Sequence, residues 1–241
     1  MQGNLYVGVS AQVSLQRRLE TIAHNVANAS TVGFRAEEAR FETLLSQAGT
    51  DPVAFAVAGP TFLSRRSGEL ARTENLFDVA VEGDAWLAIQ TPAGPTYTRD
   101  GRMKMAPTGE LQTLNGYPVL DAGGATMLLD ANAGPPRIAR DGTVTQGNRQ
   151  VGAIGLFSID SAARLTRGEN SGVIPDRPAT PVLDFTKTGM QQGYVENANV
   201  NAVMEMTRLI SITRAFEMVS ASLAASETSL QEAIKTLGAS G

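Results

Sequence analysis

The sequence contains no cysteine and a single histidine, and these two shortages limit the chemistry that the chain can perform. Without cysteine it forms no disulfide, no thiolate metal site and no cysteine nucleophile. The histidine, His24, has no second histidine or cysteine with which to build a catalytic dyad or a metal site. Aromatic residues make up only 5% of the chain, and the one tryptophan, Trp86, lies in a strand-like stretch, where we predict a core position.

Signatures of other active sites are also missing. Neither a GxxxxGK[ST] loop nor a GxGxxG following a strand occurs, so no phosphate-binding cradle is predicted. Several acidic residues could in principle form a carboxylate pair, but two of them belong to turn signals and the others have no spacing that favours a shared site. They are Asp84, Asp100, Glu110, Asp130 and Asp141. We therefore predict that the chain is not an enzyme and that it holds no cofactor or metal.

Charge and hydropathy exclude further classes of function. The net charge of -4 and the pI of about 5.1 give no reason to expect a nucleic-acid partner. No apolar run is long enough to span a bilayer, so direct membrane insertion is not expected. The amino terminus lacks the basic start and continuous apolar block of a secretory signal, which predicts either a soluble protein or export without a cleaved signal.

Helical periodicity is present at both ends of the chain. A first helix is predicted over residues 4 to 28, and a second from about residue 199 to 237 with Asn199 or Asn201 as its cap. Each carries apolar residues at alternating steps of three and four, the spacing of a coiled-coil seam. The seam residues, which we predict to form an assembly interface, are Leu15, Leu19, Ile22 and Val26 in the first helix and Leu209, Ile212, Phe216, Val219, Leu223 and Leu230 in the second.

The other faces of the second helix carry little charge and are rich in Ala, Ser and Thr, as in "SASLAASETSL". A solvent-exposed helix usually carries more charge, whereas small residues allow neighbouring backbones to approach closely. This composition favours contacts on more than one side of the helix. The alternative is a hairpin of the two terminal helices that is stable in a monomer.

Strand-like patterns fill the middle of the chain, from about residue 76 to 181. Asp100-Gly101 and Asp141-Gly142 are predicted hairpin turns, and Asn115-Gly116 is a further turn signal. The predicted fold class is α+β, with long terminal helices forming a coiled-coil-like assembly domain around a central antiparallel all-β domain. The predicted divisions are an amino-terminal helix at 1–35, a connector with some extended structure at 36–75, the β domain at 76–187 and a carboxyl-terminal helix at 188–241.

The stretch "HNVANASTVGFRA", residues 24 to 36, resembles the signature that follows the first helix in the flagellar rod and hook family. The matching positions are Asn25, Ala27, Asn28, Thr31, Gly33 and Phe34. The blocks "ENLFDVAVEGDAWLAI", "YTRDGRMKM", "LNGYPVL" and "GYVENANVNAVMEMTRLISITRAFEMVSASL" resemble later parts of the same family in the same order. Length and the "GFRA" continuation are most similar to the proximal-rod members. The "GDAW" at 83 to 86 departs from the family's usual Gly-Asp-Gly, and this affects the choice of member more than the choice of family.

The resemblance implies a structural subunit of the proximal rod of the flagellar basal body. Such a subunit is exported by the flagellar type III apparatus and assembles in the periplasm with copies of itself and with neighbouring proximal-rod and distal-rod subunits. The tube that they form transmits torque and encloses the export channel. A distal-rod or hook-family subunit is the nearest alternative. A soluble enzyme with its site in the β domain and a binding module on a coiled-coil stalk are remote alternatives.

Overall fold

The chain divides into two compact units in a computed structural model, which describes residues 2–46 and 53–238. The first, called here the helical unit, consists of Met1–Ala27, Glu37–Thr61 and Asn201–Gly241. The second, called the β unit, consists of Asn28–Ala36 and Phe62–Val200. The chain therefore passes from one unit to the other after residues 27, 36, 61 and 200.

The helical unit contains helices α1 (Gln2–Ala27) and α2 (Ala202–Gly238) and a two-stranded sheet of β1 (Glu37–Ser46) and β2 (Val53–Leu63). The two helices pack side by side and antiparallel. Gly8 lies against Leu223, and the Gln12 side chain donates to the Ser220 hydroxyl at 3.3 Å. Neither helix, over its described residues, combines the length and apolar character that crossing a bilayer requires.

The helix ends agree closely with the capping chemistry of the sequence. The Asn201 side chain accepts a hydrogen bond from the Met204 amide at 3.0 Å, which makes Asn201 the cap of α2. At the same end of the antiparallel helix pair, α1 stops at Ala27, and the Asn28 carbonyl accepts a turn hydrogen bond from the Thr31 amide at 3.0 Å. Both helices thus begin and end within about three residues of the predicted bounds, the accuracy usual for helix ends.

The β unit is built from short strands that pair antiparallel. They are β3 (Leu70–Arg72), β4 (Val79–Glu82), β5 (Trp86–Thr91), β6 (Gly94–Thr98), β7 (Met103–Met105), β8 (Leu111–Thr113), β9 (Pro136–Ile138), β10 (Thr143–Gln146), β11 (Arg149–Ala153), β12 (Leu156–Ser158), β13 (Leu165–Arg167), β14 (Val173–Pro175), β15 (Thr180–Pro181), β16 (Gly189–Gln192) and β17 (Tyr194–Glu196). The described chain is therefore α+β, with two helices and a multi-stranded antiparallel region.

One sheet organises the β unit, with strand order β13-β14-β6-β5-β12-β15. At its centre, β5 and β6 form a hairpin in which Ile89 lies opposite Thr96. Smaller sheets surround it, including β11-β10-β9 and the pairs β16-β4 and β17-β3. Val79, Ile89 and Val144 are fully buried members of the main core, and Trp86 anchors a second cluster as the sequence predicts.

Two of the three predicted turns are confirmed. β9 and β10 form a hairpin across Asp141-Gly142, and Gly116 has the positive φ of +87° that an Asn-Gly turn needs. The hairpin predicted at Asp100-Gly101 is wrong, because β6 pairs with β5 and β14 whereas β7 pairs with β8. Gly101 instead allows a close backbone approach, since a Cβ there would lie 1.7 Å from the Val79 carbonyl oxygen.

Candidate assembly interface

The predicted seam residues lie on the less exposed faces of α1 and α2. Ile22 and Ile212 are buried, and the other described seam side chains are half-buried. These half-buried residues are Leu15, Leu19, Val26, Leu209, Phe216, Val219 and Leu223. The side chain of Leu230 lies outside the described residues. Leu223 lies beside Gly8 of α1, and the role of the whole set as an assembly interface stays a prediction.

A second set of apolar side chains follows α2 on the side away from this seam. Val203, Met206 and Ile210 recur at steps of three and four, which puts them on one helix face. Their exposed fractions are 75%, 51% and 56%, and Met218, two turns further along, is 68% exposed. Arg214 and Glu217, also exposed, lie on this face between Ile210 and Met218, so the apolar surface is continuous from Val203 to Ile210 and resumes at Met218. Exposed apolar surface of this kind is typical of sites that bind another protein. We call these four apolar residues the outer stripe of α2.

Helix α1 carries a shorter row of the same kind. Tyr6, Val9 and Val13 share a face opposite the α1 seam, and each is about half exposed or more. On that face the composition then changes to Arg17 and Glu20, so the apolar surface is confined to the amino-terminal half of the helix. We call Tyr6, Val9 and Val13 the outer stripe of α1.

Hydroxyl groups along α2 are satisfied within the helix itself. The side chain of Thr207 donates to the Val203 carbonyl at 2.9 Å, and Thr213 donates to that of Leu209 at 2.9 Å. Four further Ser and Thr side chains make the same bond to the carbonyl four residues before them: Ser211, Ser226, Thr228 and Thr236. Because their donors are already paired, these positions can be covered by an apolar neighbour without leaving an unpaired buried O–H group.

The family-motif residues divide between the two units. In the helical unit, the buried side chain of Asn25 accepts from the Glu37 amide at 2.8 Å and donates to the Glu37 carbonyl at 2.9 Å. In the β unit, Gly33 has a φ of +71°, and its amide donates to the Glu196 carbonyl at 2.7 Å. Phe34 is buried under the Arg167 guanidinium, whose carbon lies 4.4 Å from the ring centre. Of the other motif positions, Ala27 ends α1 and Asn28 and Thr31 form the turn that follows it.

A buried ionic cluster in the β unit is a feature that sequence reasoning missed. The Glu196 carboxylate accepts from Arg35 at 2.6 Å, from Arg99 at 3.0 Å and from the Gly68 amide at 2.7 Å. Burial lowers the pKa of Arg99 to about 10, and the Glu196 charge opposes that shift. Local sequence patterns could not reveal the cluster, because Arg35 and Glu196 are 161 residues apart in the chain.

Asp100 and Asp141, two of the acidic residues considered as a catalytic pair, form local hydrogen bonds instead. Asp100 holds the Arg102 guanidinium through two bonds of 2.9 and 2.8 Å, and Asp141 accepts from the Thr143 amide at 3.0 Å. That amide bond lowers the pKa of the Asp141 carboxyl. Among the described residues, His, Asp and Glu side chains do not gather in groups of three that could hold a metal ion.

Comparisons with known proteins account for nearly the whole length of the chain. Three family models match: "Flagella basal body rod protein" at residues 5–35, "Flagellar hook protein FlgE/F/G D1 domain" at residues 80–146 and "Flagellar basal body rod FlgEFG protein C-terminal" at residues 191–236. A protein of Mesorhizobium japonicum named "Flagellar basal-body rod protein FlgF" is 52% identical over 99% of both chains.

The chain belongs to the flagellar basal-body rod protein family.

Two further relatives carry the same name. The protein of Rhizobium meliloti is 47% identical over the full length of both chains, and that of Caulobacter vibrioides is 34% identical over 99% of both. The chain is accordingly a structural rod subunit of the flagellar basal body and not an enzyme. As a member of this family, it assembles with other rod and hook subunits.

Proposed function

We propose that this chain is a subunit of the proximal rod and that its terminal helices build the wall of the tube. In this proposal α1 and α2 form a coiled-coil-like assembly domain through the predicted seam residues, and their outer stripes bind the helices of neighbouring axial subunits. The divisions proposed for these roles are those predicted from sequence: 1–35 and 188–241 for the assembly domain, 36–75 for the connector and 76–187 for the β domain. Within them the helices are α1 and α2 alone, because residues 28–35 follow α1 and residues 189–196 form β16 and β17.

The outer stripe of α2 is the observation that carries the proposal. The α2 seam is already partly covered by α1, yet Val203, Met206, Ile210 and Met218 remain exposed on the far side. Complete burial of one such side chain contributes about 1.5–3 kcal/mol, so a row of four supplies a substantial driving force for association. A helix with apolar rows on two sides fits a wall in which every helix has neighbours on both sides.

The length of α2 supports contacts along the tube as well. Because Gly8 lies against Leu223 in an antiparallel pair, the start of α1 at Gln2 falls near residue 229 of α2. Residues 230–238 continue the α2 backbone past that point. In sequence the seam pattern also continues there, through Leu230 and Leu237. A head-to-tail neighbour that covers this extension generates a contact that repeats without closing, which is the geometry of a helical tube.

The proposed partners are copies of this chain, neighbouring proximal-rod and distal-rod subunits and, during secretion, the flagellar type III export apparatus. The proposed location is the rod within the periplasm, reached without a cleaved signal. The β unit, with its own core, contributes to the choice of neighbour in this proposal.

The test introduces charge into the outer stripe and leaves the chain otherwise intact. In a strain that lacks the native gene, the double variant Met206→Glu/Ile210→Glu should fold, because both side chains are exposed, yet fail to restore swimming. Met206→Leu/Ile210→Leu is the matched control, since it changes the same two positions and keeps the stripe apolar. Swimming in soft agar and the amount of the chain in purified basal bodies are measured. Equal swimming of the two double variants would contradict the proposal.

A further inference from the structure

The carboxylate of Glu196 is the centre of a fully buried cluster in the β unit. One oxygen accepts from Arg35 at 2.6 Å and from the Gly68 amide at 2.7 Å, and the other accepts from Arg99 at 3.0 Å. The side chains of Arg35, Arg99 and Glu196 are each no more than 1% exposed. We call Arg35, Glu196 and Arg99 the ionic clamp.

Trp86 lies against both guanidinium groups of the clamp. The guanidinium carbons of Arg35 and Arg99 are 5.3 and 5.2 Å from its ring centre, within the range of cation–π attraction. Trp86 is also the only tryptophan of the chain, so its fluorescence reports on the clamp without any label.

The clamp joins the segments through which the β unit continues into the helical unit. Arg35 precedes the crossing after residue 36, Gly68 follows the crossing after residue 61, and Glu196 precedes the crossing after residue 200. Arg99, in contrast, follows β6 and lies in the interior of the β unit's sequence.

Further bonds tie the same three segments together. Asn199 accepts from the Ala36 amide at 2.6 Å and donates to the Arg66 carbonyl at 2.7 Å. Arg35 also donates to the Arg66 carbonyl, at 2.9 Å. Gly68 lies so near the third segment that a Cβ would be 1.9 Å from the Asn197 carbonyl oxygen. The three segments are therefore held side by side by directional contacts.

The composition of the clamp is poor for stability alone. Two cations share one carboxylate, and within the described residues the Nε atoms of both arginines, a second nitrogen of Arg35 and the indole nitrogen of Trp86 are buried without a hydrogen-bond partner. Buried ion pairs are often replaced by apolar side chains without loss of stability, whereas their directional bonds specify one arrangement of the chain. If either arginine is removed, the Glu196 carboxylate still forms an ion pair with the other arginine.

We propose that Arg35 is a positioning residue, and that the ionic clamp holds side by side the three segments of the β unit that continue into α1 and β1, into β2 and into α2, an arrangement of the chain that rod assembly requires. Arg99 completes the charge pairing of Glu196 and supports the β unit itself, through bonds to the Val81 and Gly83 carbonyls at 2.9 and 2.5 Å. The inference rests on the proposed rod function.

The experiment compares Arg35→Met with Arg99→Met in the full chain. The two variants remove the same group at equally buried positions beside the same tryptophan, so each controls for the other. Arg35→Met should keep the melting temperature of the β unit within a few degrees of the native value and still lose swimming. Arg99→Met should lower that melting temperature by roughly 5 °C or more, because two carbonyls lose their donor, and should swim better than Arg35→Met below its melting temperature.

Three results would overturn the inference. One is native swimming of Arg35→Met, and another is equal loss of swimming by both variants in proportion to their loss of stability. The third is an unchanged Trp86 emission spectrum in Arg35→Met, which would show that the Arg35 guanidinium does not contact the indole ring of Trp86. The native gene, reintroduced in the same strain, is the reference. Normal swimming of Met206→Glu/Ile210→Glu would refute the proposed outer-stripe interface and leave this inference standing, which separates the two.

Discussion

The two units of the chain differ in how completely they bury their apolar side chains. In the β unit, Val79, Ile89 and Val144 have no exposed surface. In the helical unit, the seam is half-buried over most of its length, and the outer stripes are exposed. The comparison supports the proposal that stability and assembly depend on different parts of the chain: the β unit closes its own core, whereas the helical unit leaves the apolar rows exposed that we propose for partners.

Hydrogen bonding follows the same division. Hydroxyl side chains of α2 bond to carbonyls four residues away in the same helix. The clamp of the β unit instead joins residues 97 and 161 positions apart in the sequence. Local bonds survive when a helix changes neighbours, while long-range bonds specify one tertiary arrangement. A subunit that must join an assembly benefits from having the first kind on its binding surface.

The largest expected effect comes from a charge in the helix seam. Phe216→Asp should abolish assembly and swimming, because an unpaired carboxylate disfavours burial between α1 and α2. The melting transition of the β unit, followed by Trp86 fluorescence, should stay unchanged. Ser222→Asp, an exposed position on the same helix, is the control and should swim normally. Normal swimming of Phe216→Asp would refute the assigned role of the seam.

A core truncation should produce the opposite pattern. Leu87→Ala removes a side chain that is 1% exposed, and it should lower the free energy of unfolding of the β unit by about 2–5 kcal/mol, measured by urea titration of Trp86 emission. Leu183→Ala, at a position 89% exposed, should change it by less than about 0.5 kcal/mol. Similar losses for both leucines would contradict the description of the β unit as the self-sufficient part.

Sequence reasoning recovers the features of this fold that depend on local chemistry. The two terminal helices, the Asn201 cap and the Asp141-Gly142 hairpin are all signalled by residues that lie close together in the chain. The pairing of β1 with β2 and the ionic clamp depend on partners chosen by the tertiary fold. Asp100-Gly101 illustrates the same limit. This dipeptide is typical of hairpin turns, but here Gly101 instead allows its backbone to lie close to the Val79 carbonyl.

For the candidate interface, sequence supplied the seam and a reason to expect contacts on several faces. The low charge of α2 was visible in its composition, but the outer stripe could be identified only after α1 was seen to cover one side and leave the other exposed. Periodicity describes which residues share a face. It does not say which face a neighbour covers.

A smaller effect is expected at the glycine of the family motif. Gly33→Ala should destabilise the β unit by about 2–4 kcal/mol, because its φ is +71° and the new Cβ would lie 2.3 Å from the Asp100 amide nitrogen. Gly116→Ala is the matched control: its φ is +87°, but no atom lies within 4 Å of the new Cβ, so only the backbone cost of about 1–2 kcal/mol should remain. Equal urea midpoints would show that the close approach at Gly33 is unimportant.

The smallest expected effect concerns the start of α2. Asn201→Ala removes the acceptor for the Met204 amide and should cost about 1 kcal/mol, detected as faster hydrogen exchange at Met204 with no change in the β unit. Asn201→Ser keeps a capping oxygen and should restore most of the protection. Unchanged exchange at Met204 in the alanine variant would rule out Asn201 as the cap.

Hydrogen exchange on the purified full-length chain tests the central claim most directly. The account predicts that the amides of residues 2–27 and 201–238 exchange faster than those of residues 76–181, because the helical unit lacks the neighbours that cover its outer stripes. Slow exchange in the middle with fast exchange at both ends would support the division between a self-sufficient unit and a partner-dependent one. Equal protection of all three regions would contradict it, since the helices would then satisfy each other without an assembly.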